Sequence, residues 1–363
     1  MFLFQMRKPK LLSVFILIFL CSFSCKKKKT ENNTKTEFQK SDLLSNIGTN
    51  LIVPEYQQLL VNLSDLESNY VLFIANKTDL NLENVRTSWK SAYKKWYSVS
   101  VYEFGPAMNE GLRNAVGVFP TDTLKIISNT NASSYVLGSA TNVDAIGFSS
   151  FDFLMYRKHA LNYFSNSSTY SQYGLDVIRK IKSEVTNVVN SWNTTYLTTF
   201  KSSTGTESTS AFSLLINEFN KTYELAKNAK LGIPIGKQSL GIKRPEYIEA
   251  RLSAISLDLL YENVSSLQRV FNGNTVSGTL GIGFDDYLVA LDRGTLSTSI
   301  NTQFSAILND INQLTLSLEE EMNTNPHLLD NLYTKMQNLV VSIKTDMPSS
   351  FGVLITYQDN DGD

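Results

Sequence analysis

Apolar residues recur at intervals of three and four along most of the chain, and this helical periodicity constrains the fold more than any other feature. Residues 51–74 place one apolar face on Tyr56, Leu59, Leu60, Leu63, Leu66 and Tyr70. Residues 81–104 repeat the pattern with Val85, Trp89, Ala92, Tyr93 and Trp96. Comparable patterns cover 168–200, 207–230, 246–271, 296–322 and 326–346. The chain is therefore predicted to be all-α, with residues 353–358 as the one candidate strand.

Breaks in the periodicity divide the chain into predicted units. The glycine- and proline-containing stretch 230–245 separates two groups of helices, and this break predicts bundle-like halves at 42–206 and 207–363. A polar loop is expected at 128–144, after a short helix capped by Thr121 or Asp122. The glycine-rich stretch 278–283 lacks the Lys-Ser/Thr ending of a phosphate-binding loop, so we expect a turn with positive φ.

The N-terminus has the features of an export signal. A basic segment with Arg7, Lys8 and Lys10 precedes the apolar run 11–20, which is short for a membrane span. Ser24 directly before Cys25 favours lipoprotein processing with lipid attached to Cys25, while plain secretion and an uncleaved anchor remain alternatives. Residues 26–41 are predicted to form a flexible tether, with Lys26–Lys29 at the lipid headgroups. We expect an outer-membrane lipoprotein that faces the periplasm.

Composition excludes several classes of function. The chain has 2 cysteines, Cys21 and Cys25, and both lie in the leader, so the predicted mature domain has no disulfide, thiolate metal site or cysteine nucleophile. The net charge of -1 argues against nucleic acid as a partner. The 2 histidines, His159 and His327, are expected at the surface or at the boundary of the core and belong to no catalytic motif. The acidic tail 359–363 is either a frayed end or part of an ion site.

The apolar stretch AIGFSSFDFLMY, residues 145–156, holds the strongest candidate site residues. Ser149 and Asp152 are three positions apart and share one face of a predicted helix, next to a buried stripe of Phe148, Phe151 and Met155. From the residues alone this segment is a core helix with two small polar residues at its edge. The alternative is a metal-binding helix that has lost its best ligand.

This segment resembles the signature of the imelysin-like proteins, GxHxxE, with Gly147 at the glycine, Ser149 at the histidine and Asp152 at the glutamate. Segments 53–66, 87–106, 119–122 and 247–273 resemble further parts of that family, in the same order. The resemblance implies an all-α fold of two halves around a cleft lined by the signature helix. It also implies a bacterial envelope protein associated with iron uptake, from a family historically grouped with peptidases.

The departures from the signature weaken the implied metal site. Serine is a poor neutral ligand and aspartate is one methylene shorter than glutamate, so iron or another divalent metal at Ser149 and Asp152 is doubtful. His159 follows Asp152 by two helical turns on the predicted face, about 10 Å along the axis, which is too far for both to bind one ion. Other cleft candidates are Gly147, Glu103, Glu249 and Arg251.

The sequence leaves three functions open. The first is a non-enzymatic, lipid-anchored envelope protein that binds a small ligand, an iron species or an iron-uptake partner protein in the cleft. The second is a metal-dependent peptidase of the imelysin type, although no three-ligand set with a general base is visible. The third is a structural or adaptor lipoprotein with a vestigial cleft.

Overall fold

The computed structural model describes residues 37–116, 118–132 and 134–357. Its first nine helices are α1 (Lys40–Asn46), α2 (Val53–Ala75), α3 (Asp79–Val99), α4 (Pro106–Asn109), α5 (Leu112–Val116), α6 (Thr123–Asn131), α7 (Phe148–Tyr156), α8 (Ala160–Asn166) and α9 (Ser168–Ser191). The others are α10 (Leu197–Ser202), α11 (Ala211–Leu225), α12 (Ser256–Asn272), α13 (Phe284–Ala290), α14 (Gly294–Gln313), α15 (Leu318–Thr324), α16 (Pro326–Val340) and α17 (Met347–Phe351). No β-strand occurs among these described residues, so the all-α prediction is confirmed.

Short π-helical and 3-10 segments join several helices without a full break. The π-helical segments are Ile47–Ile52, Trp192–Tyr196, Ala226–Gly232 and Val341–Asp346. The 3-10 segments are Ser100–Tyr102, Ala140–Ala145 and Pro245–Tyr247. Because of them, the predicted stretches 168–200 and 326–346 are each nearly continuous helical rods. In the predicted tether, the last two residues, 40–41, already belong to α1.

Three local predictions were wrong or incomplete. The predicted helix over 246–271 begins only at Ser256, because Pro245 starts a 3-10 turn and Ala250 and Ala254 adopt left-handed φ angles of 51° and 60°. The described part of the candidate strand, 353–357, forms no β-structure. The expected loop at 128–144 is shorter, because α6 continues to Asn131.

Other local features follow from side-chain chemistry. Asp122 is the N-cap of α6, with its Oδ1 accepting the backbone N–H of Lys125 at 2.9 Å, as one of the two predicted caps. Ser317 and Glu320 form a capping box that starts α15 and interrupts the predicted helix 296–322. In the glycine-rich stretch 278–283, Gly278 has the expected positive φ, at 84°.

Helices α2 and α3 form a hairpin through the short connection 76–78, and α9 also packs against α2. Leu59, Leu63 and Leu66 on α2 are completely buried, as is Trp89 on α3. Each such side chain contributes about 1.5–3 kcal/mol by leaving water. The packing of this hairpin therefore fixes the position of α3 and of the side chains that α3 directs away from α2.

The C-terminal end of α3 meets the second group of helices through hydrogen bonds. Its last carbonyls have no partners within the helix. Ser266 on α12 donates to the Tyr97 carbonyl at 3.2 Å, and Thr222 on α11 donates to the Ser100 carbonyl at 3.3 Å. Asn263 donates to the Ser100 hydroxyl at 3.0 Å. These bonds join α3 to the helices that follow residue 207.

The first described residues pack against the second group of helices. Phe38 stacks on Tyr287 of α13 with ring centroids 4.7 Å apart, and Tyr287 also stacks on Phe351 of α17 at 4.7 Å. Asn46 donates from its amide to the carbonyls of Gly273 at 2.8 Å and Ile282 at 2.9 Å. The chain thus enters the fold beside α13 and the loop that precedes it.

Replacing Gly105 with alanine is expected to lower the free energy of unfolding by about 2–3 kcal/mol. Gly105 has a φ of 52°, and an added Cβ would lie 2.3 Å from the Tyr196 ring. Gly111→Ala is the matched control, because Gly111 has a φ of 62° but nothing within 4 Å of an added Cβ. Urea denaturation of both variants measures the difference. Equal losses would mean that the ring contact contributes nothing.

Candidate functional site

Helix α7 is held against α3 by contacts that fix its position. The Trp89 indole N–H donates to the Phe148 carbonyl at 3.1 Å, and the Arg86 guanidinium donates to the Met155 carbonyl at 2.6 Å. Gly147 starts the helix with a φ of 89°, and a Cβ there would lie 2.9 Å from the Val116 carbonyl oxygen. Glycine at this position is therefore needed for close packing. The predicted stripe of Phe148, Phe151 and Met155 is completely buried.

Ser149 and Asp152, the predicted signature residues, both bind backbone groups. The Ser149 hydroxyl donates to the Val118 carbonyl at 2.5 Å. The Asp152 carboxylate accepts the N–H of Leu252 at 3.0 Å on one oxygen and that of Ser253 at 2.9 Å on the other. Burial raises the pKa of Asp152, and these hydrogen bonds oppose the rise. Asp152 therefore fastens the turn 248–255 to α7.

The turn fastened by Asp152 places Glu249 in a buried hydrogen-bond cluster. The hydroxyls of Tyr93 and Tyr97 donate to one carboxylate oxygen of Glu249, and the Lys230 ammonium pairs with the other. The Ser256 hydroxyl donates to the Glu249 carbonyl. Glu249 is only 4% exposed, and a buried carboxylate is costly unless hydrogen bonds or an opposite charge compensate for the lost water. Its charged form is therefore stabilised by these partners. We name Tyr93, Tyr97 and Glu249 the tyrosine–glutamate cluster.

Burial controls the ionisation of the groups around Glu249. It raises the pKa values of Tyr93 and Tyr97 well above the ordinary tyrosine value, and the negative charge of Glu249 raises them further. Burial lowers the pKa of Lys230, which lies 3.4 Å from the centroid of the Tyr97 ring. With the tyrosines protonated, their hydroxyls can donate to Glu249 as observed.

Glu103 belongs to a second buried cluster, with Arg113 and Glu218. One Glu103 oxygen accepts the Arg113 backbone N–H at 2.8 Å, and the Arg113 guanidinium pairs with Glu218 and donates to the Ser100 carbonyl at 3.1 Å. The second Glu103 oxygen and the Nη1 of Arg113 are buried without a partner among the described residues. Burial raises the pKa values of Glu103 and Glu218, and the positive charge of Arg113 opposes both shifts.

A cavity of about 150 Å³ connects the two clusters. Its lining comprises Trp96, Tyr97, Ser100, Arg113, Phe119, Thr222, Leu225, Ala229, Lys230, Glu249 and Asn263. The volume is sufficient for several waters or a small ligand, and the wall carries both charged and aromatic groups. In the part of the chain that the structure describes, no group of three or more His, Cys, Asp or Glu side chains is placed to hold a metal ion.

The structure brings together some of the predicted residues and separates others. Glu249 lines the cavity, whereas Arg251 lies outside it and binds Glu319 at the surface, at 2.7 and 2.5 Å. The placement of His159 on one helix face with Asp152 was wrong, because α7 ends at Tyr156 and His159 has a left-handed φ of 60°. Both His159 and His327 are exposed, as predicted.

Four functional candidates were missed in the sequence. Tyr93 and Tyr97 have the i, i+4 spacing that aligns side chains on one helix face, but Tyr93 was assigned to the core and Tyr97 was not selected. Arg113 and Lys230 lie in short or irregular segments that carry no recognisable motif. The spacing of the tyrosines was the one signal that could have identified a polar cluster.

The all-α fold, with α7 started by Gly147, is the architecture that the resemblance to the imelysin-like proteins implied, but no α7 residue lines the cavity, so the implied cleft lined by the signature helix is not what this cavity shows. The chain belongs to the imelysin family, because the family model Peptidase_M75: Imelysin matches residues 52–341. This match confirms the resemblance seen in the sequence.

Solved structures and a curated relative agree with this assignment. A protein described as an iron-regulated protein A precursor from Parabacteroides distasonis is similar with a TM-score of 0.73 and 16% identity, over 87% of this chain and 96% of that one. An imelysin-like protein from Psychrobacter arcticum has a TM-score of 0.69 and 14% identity, over 88% and 98% of the two chains. Iron-regulated protein A of Synechococcus elongatus is 31% identical over 72 residues, which is 20% of each sequence.

Proposed function

We propose that this imelysin-family chain is a non-enzymatic, lipid-anchored envelope protein that binds a small ligand or an iron species in the cavity and serves iron uptake. The observation that supports the proposal best is the cavity itself. It is lined by Arg113 of the buried Glu103, Arg113 and Glu218 cluster and by Tyr97 and Glu249 of the tyrosine–glutamate cluster. A partly apolar pocket with a few convergent polar groups is typical of ligand sites. The relatives named iron-regulated protein A make iron species the first ligands to test.

The roles of Ser149 and Asp152 support a non-enzymatic function. Metal-assisted hydrolysis needs a firmly held ion, an open position for water and a general base. Both oxygens of Asp152 accept backbone N–H groups, and the Ser149 hydroxyl donates to a carbonyl. In this proposal the signature positions stabilise the wall of the ligand site, and the doubtful metal role assigned to them in the sequence remains a prediction.

The lipid anchor is the second part of the proposal. Cys25 and the tether up to residue 36 lie outside the described residues, and the acidic tail 359–363 does so as well. Among the described helices, none is long and apolar enough to cross a membrane.

We expect Cys25→Ala to move the protein from the membrane fraction to the periplasmic fraction, with loss of the lipid mass from the N-terminal peptide. A Cys21→Ala variant is the control, and its release would instead assign the lipid to Cys21.

Calorimetric titration tests ligand binding in the cavity. The mature chain carrying Cys25→Ala is titrated with ferrous, ferric and zinc salts, beside Ala229→Phe, which fills the cavity, and the Ser149→His/Asp152→Glu double variant. Binding by the wild-type chain that Ala229→Phe weakens at least about tenfold, or about 1.4 kcal/mol, supports the cavity. Binding by the double variant alone would contradict an iron site here and would direct the search to organic ligands.

A further inference from the structure

Residues 274–282 form a compact loop between α12 and α13, and the two ends of this loop lie side by side. A Cβ added at Gly283 would lie 2.3 Å from the backbone nitrogen of Gly273, so the chain leaves and re-enters the fold at almost the same point. Asn46 of α1 closes this base by donating to the carbonyls of Gly273 at 2.8 Å and Ile282 at 2.9 Å. The segment is therefore an Ω-loop that the first described helix holds at its base.

The polar groups of this loop are paired largely within it. The backbone N–H of Thr275 donates to the Thr279 carbonyl at 3.0 Å, and that of Gly278 donates to the Thr275 carbonyl at 3.0 Å. The N–H of Gly281 donates to the side-chain oxygen of Asn274 at 3.3 Å. The loop contains no charged residue. Paired backbone groups and the lack of charge lower the cost of moving such a segment from water into a lipid interface.

The apolar side chains of the loop are exposed to solvent. Leu280 is 82% exposed, Val276 is 55% exposed and Ile282 is 36% exposed. Single exposed apolar residues are normal, but three of them on one uncharged loop form a local apolar surface. Charged residues return only at Asp285 and Asp286, where α13 begins. The apolar surface therefore ends at the start of α13, and we name residues 274–282 the apolar loop.

We infer that the apolar loop inserts into the surface of the membrane that carries the lipid anchor. This inference rests on the proposed function, because it needs lipid on Cys25. The chain enters the described fold at Phe38, which stacks on Tyr287 of α13. The predicted tether from residue 25 to residue 38 spans at most about 45 Å when extended and about 20 Å on average as a flexible chain. The anchor therefore keeps this end of the fold within reach of the lipid.

Insertion of the apolar loop adds a second point of attachment. Leu280 and Val276 leave water for the boundary between headgroups and acyl chains, about 5–10 Å deep. The hydroxyls of Thr275 and Ser277, 2.9 Å apart, stay at the level of the polar headgroups. A protein held by a flexible tether alone turns freely, whereas a tether and a loop together hold one end of the fold toward the lipid.

Leu240 provides a matched control near the other end of the same group of helices. It is 99% exposed and lies in the compact turn 233–243. The rod formed by α11 and Ala226–Gly232 leads to this turn and is roughly 30 Å long. This rod begins near the apolar loop, because Phe212 of α11 packs against Phe284 with ring centroids 6.4 Å apart. Leu240 thus has the same side chain and a larger exposure, but a different place in the fold.

Fluorescence on vesicles tests the contact. Leu280→Cys and Leu240→Cys are made in the full chain, and each lipidated mature protein is labelled with an environment-sensitive NBD dye. With Cys21 in the removed leader and lipid on Cys25, the introduced cysteine is the one free thiol. The vesicles contain phosphatidylethanolamine, phosphatidylglycerol and a lipid that is spin-labelled high on its acyl chain. We expect the emission of the dye at position 280 to shift to shorter wavelength and to lose intensity by quenching. The dye at position 240 should keep its emission in water.

The outcomes separate this inference from the proposed function. If the protein floats with the vesicles but the dye at position 280 behaves like that at position 240, the lipid anchor stands and the inserted loop is wrong. If the protein does not float, both are wrong. If the dye at position 280 is already shielded in the soluble Cys25→Ala form, and this form sediments as a dimer, a second copy covers the loop and the membrane inference is overturned. Quenching at position 280 alone supports both.

Discussion

Replacing Arg113 with methionine is expected to lower the free energy of unfolding by about 3–5 kcal/mol at neutral pH, because it leaves two buried carboxylates without their shared cation. Arg113 pairs with Glu218 and binds Glu103 through its backbone N–H. Both carboxylates are almost fully buried. Methionine fills much of the space of the arginine stem, so the loss reports charge more than packing.

The effect of Arg113→Met should depend on pH in a defined direction. Burial raises the pKa values of Glu103 and Glu218 in the folded state, so the folded protein holds these protons more tightly than the unfolded chain. Stability then falls as the pH rises from the ordinary carboxyl range, about 4, through the folded pKa values. Without the opposing charge of Arg113 this fall becomes steeper. The deficit of the variant should therefore shrink on acidification toward pH about 4–5.

Urea denaturation at a series of pH values measures this dependence. Arg251→Met is the control, because Arg251 also pairs with a glutamate but does so at the surface. It should cost about 0–1 kcal/mol, with little change between neutral and mildly acidic pH. Equal losses for the two variants, or a deficit of Arg113→Met that grows on acidification, would contradict the buried-cluster account.

Replacing Asp152 with alanine is expected to cost about 2–4 kcal/mol and to loosen the turn 248–255. The substitution removes the acceptor for the N–H groups of Leu252 and Ser253, and each partly or fully buried donor left without a partner costs about 1–3 kcal/mol. It also removes the contact that positions Glu249. Asp152→Asn keeps one oxygen acceptor, so it should lose less than the alanine variant.

Hydrogen exchange locates the loss caused by Asp152→Ala. The amides of Leu252 and Ser253 should exchange faster than in the wild type. Amides in the middle of α2 should exchange faster only by the amount that the loss of global stability explains. Ser149→Ala, on the same helix, removes a hydrogen bond to Val118 and should leave the turn protected. Unchanged protection at Leu252 and Ser253 in Asp152→Ala would mean that other contacts hold the turn.

The long helices were predictable because their burial follows the helical period. Tyr56, Leu59 and Leu63 occupy one face of α2 in both the sequence pattern and the structure. The same rule failed at 246–255, where Ile248 and Ile255 are buried in an irregular turn. Ala250 and Ala254 adopt left-handed conformations there, which are uncommon for alanine, so neither residue type signals them locally.

The site was predictable only in part. The resemblance selected Glu249 and Glu103, which are indeed in buried clusters. The role of Asp152 could not be predicted from the sequence, because its partner Leu252 lies 100 residues away and contributes a backbone group. Any residue type at position 252 except proline would offer the same N–H. Arg113 was missed for a related reason, since its importance comes from a partner, Glu218, that is distant in sequence.

The stack of Phe38 on Tyr287 determines where a mechanical load would enter the fold. In a lipid-anchored chain, tension on the tether is applied at Phe38 and passes through Tyr287 to Phe351. Residues 287 and 351 belong to the C-terminal helices, although the tether precedes the N-terminal ones. A pull at residue 38 would therefore first strain contacts with the C-terminal helices. In such an anchored chain the load would fall on aromatic contacts that lie outside the cavity lining.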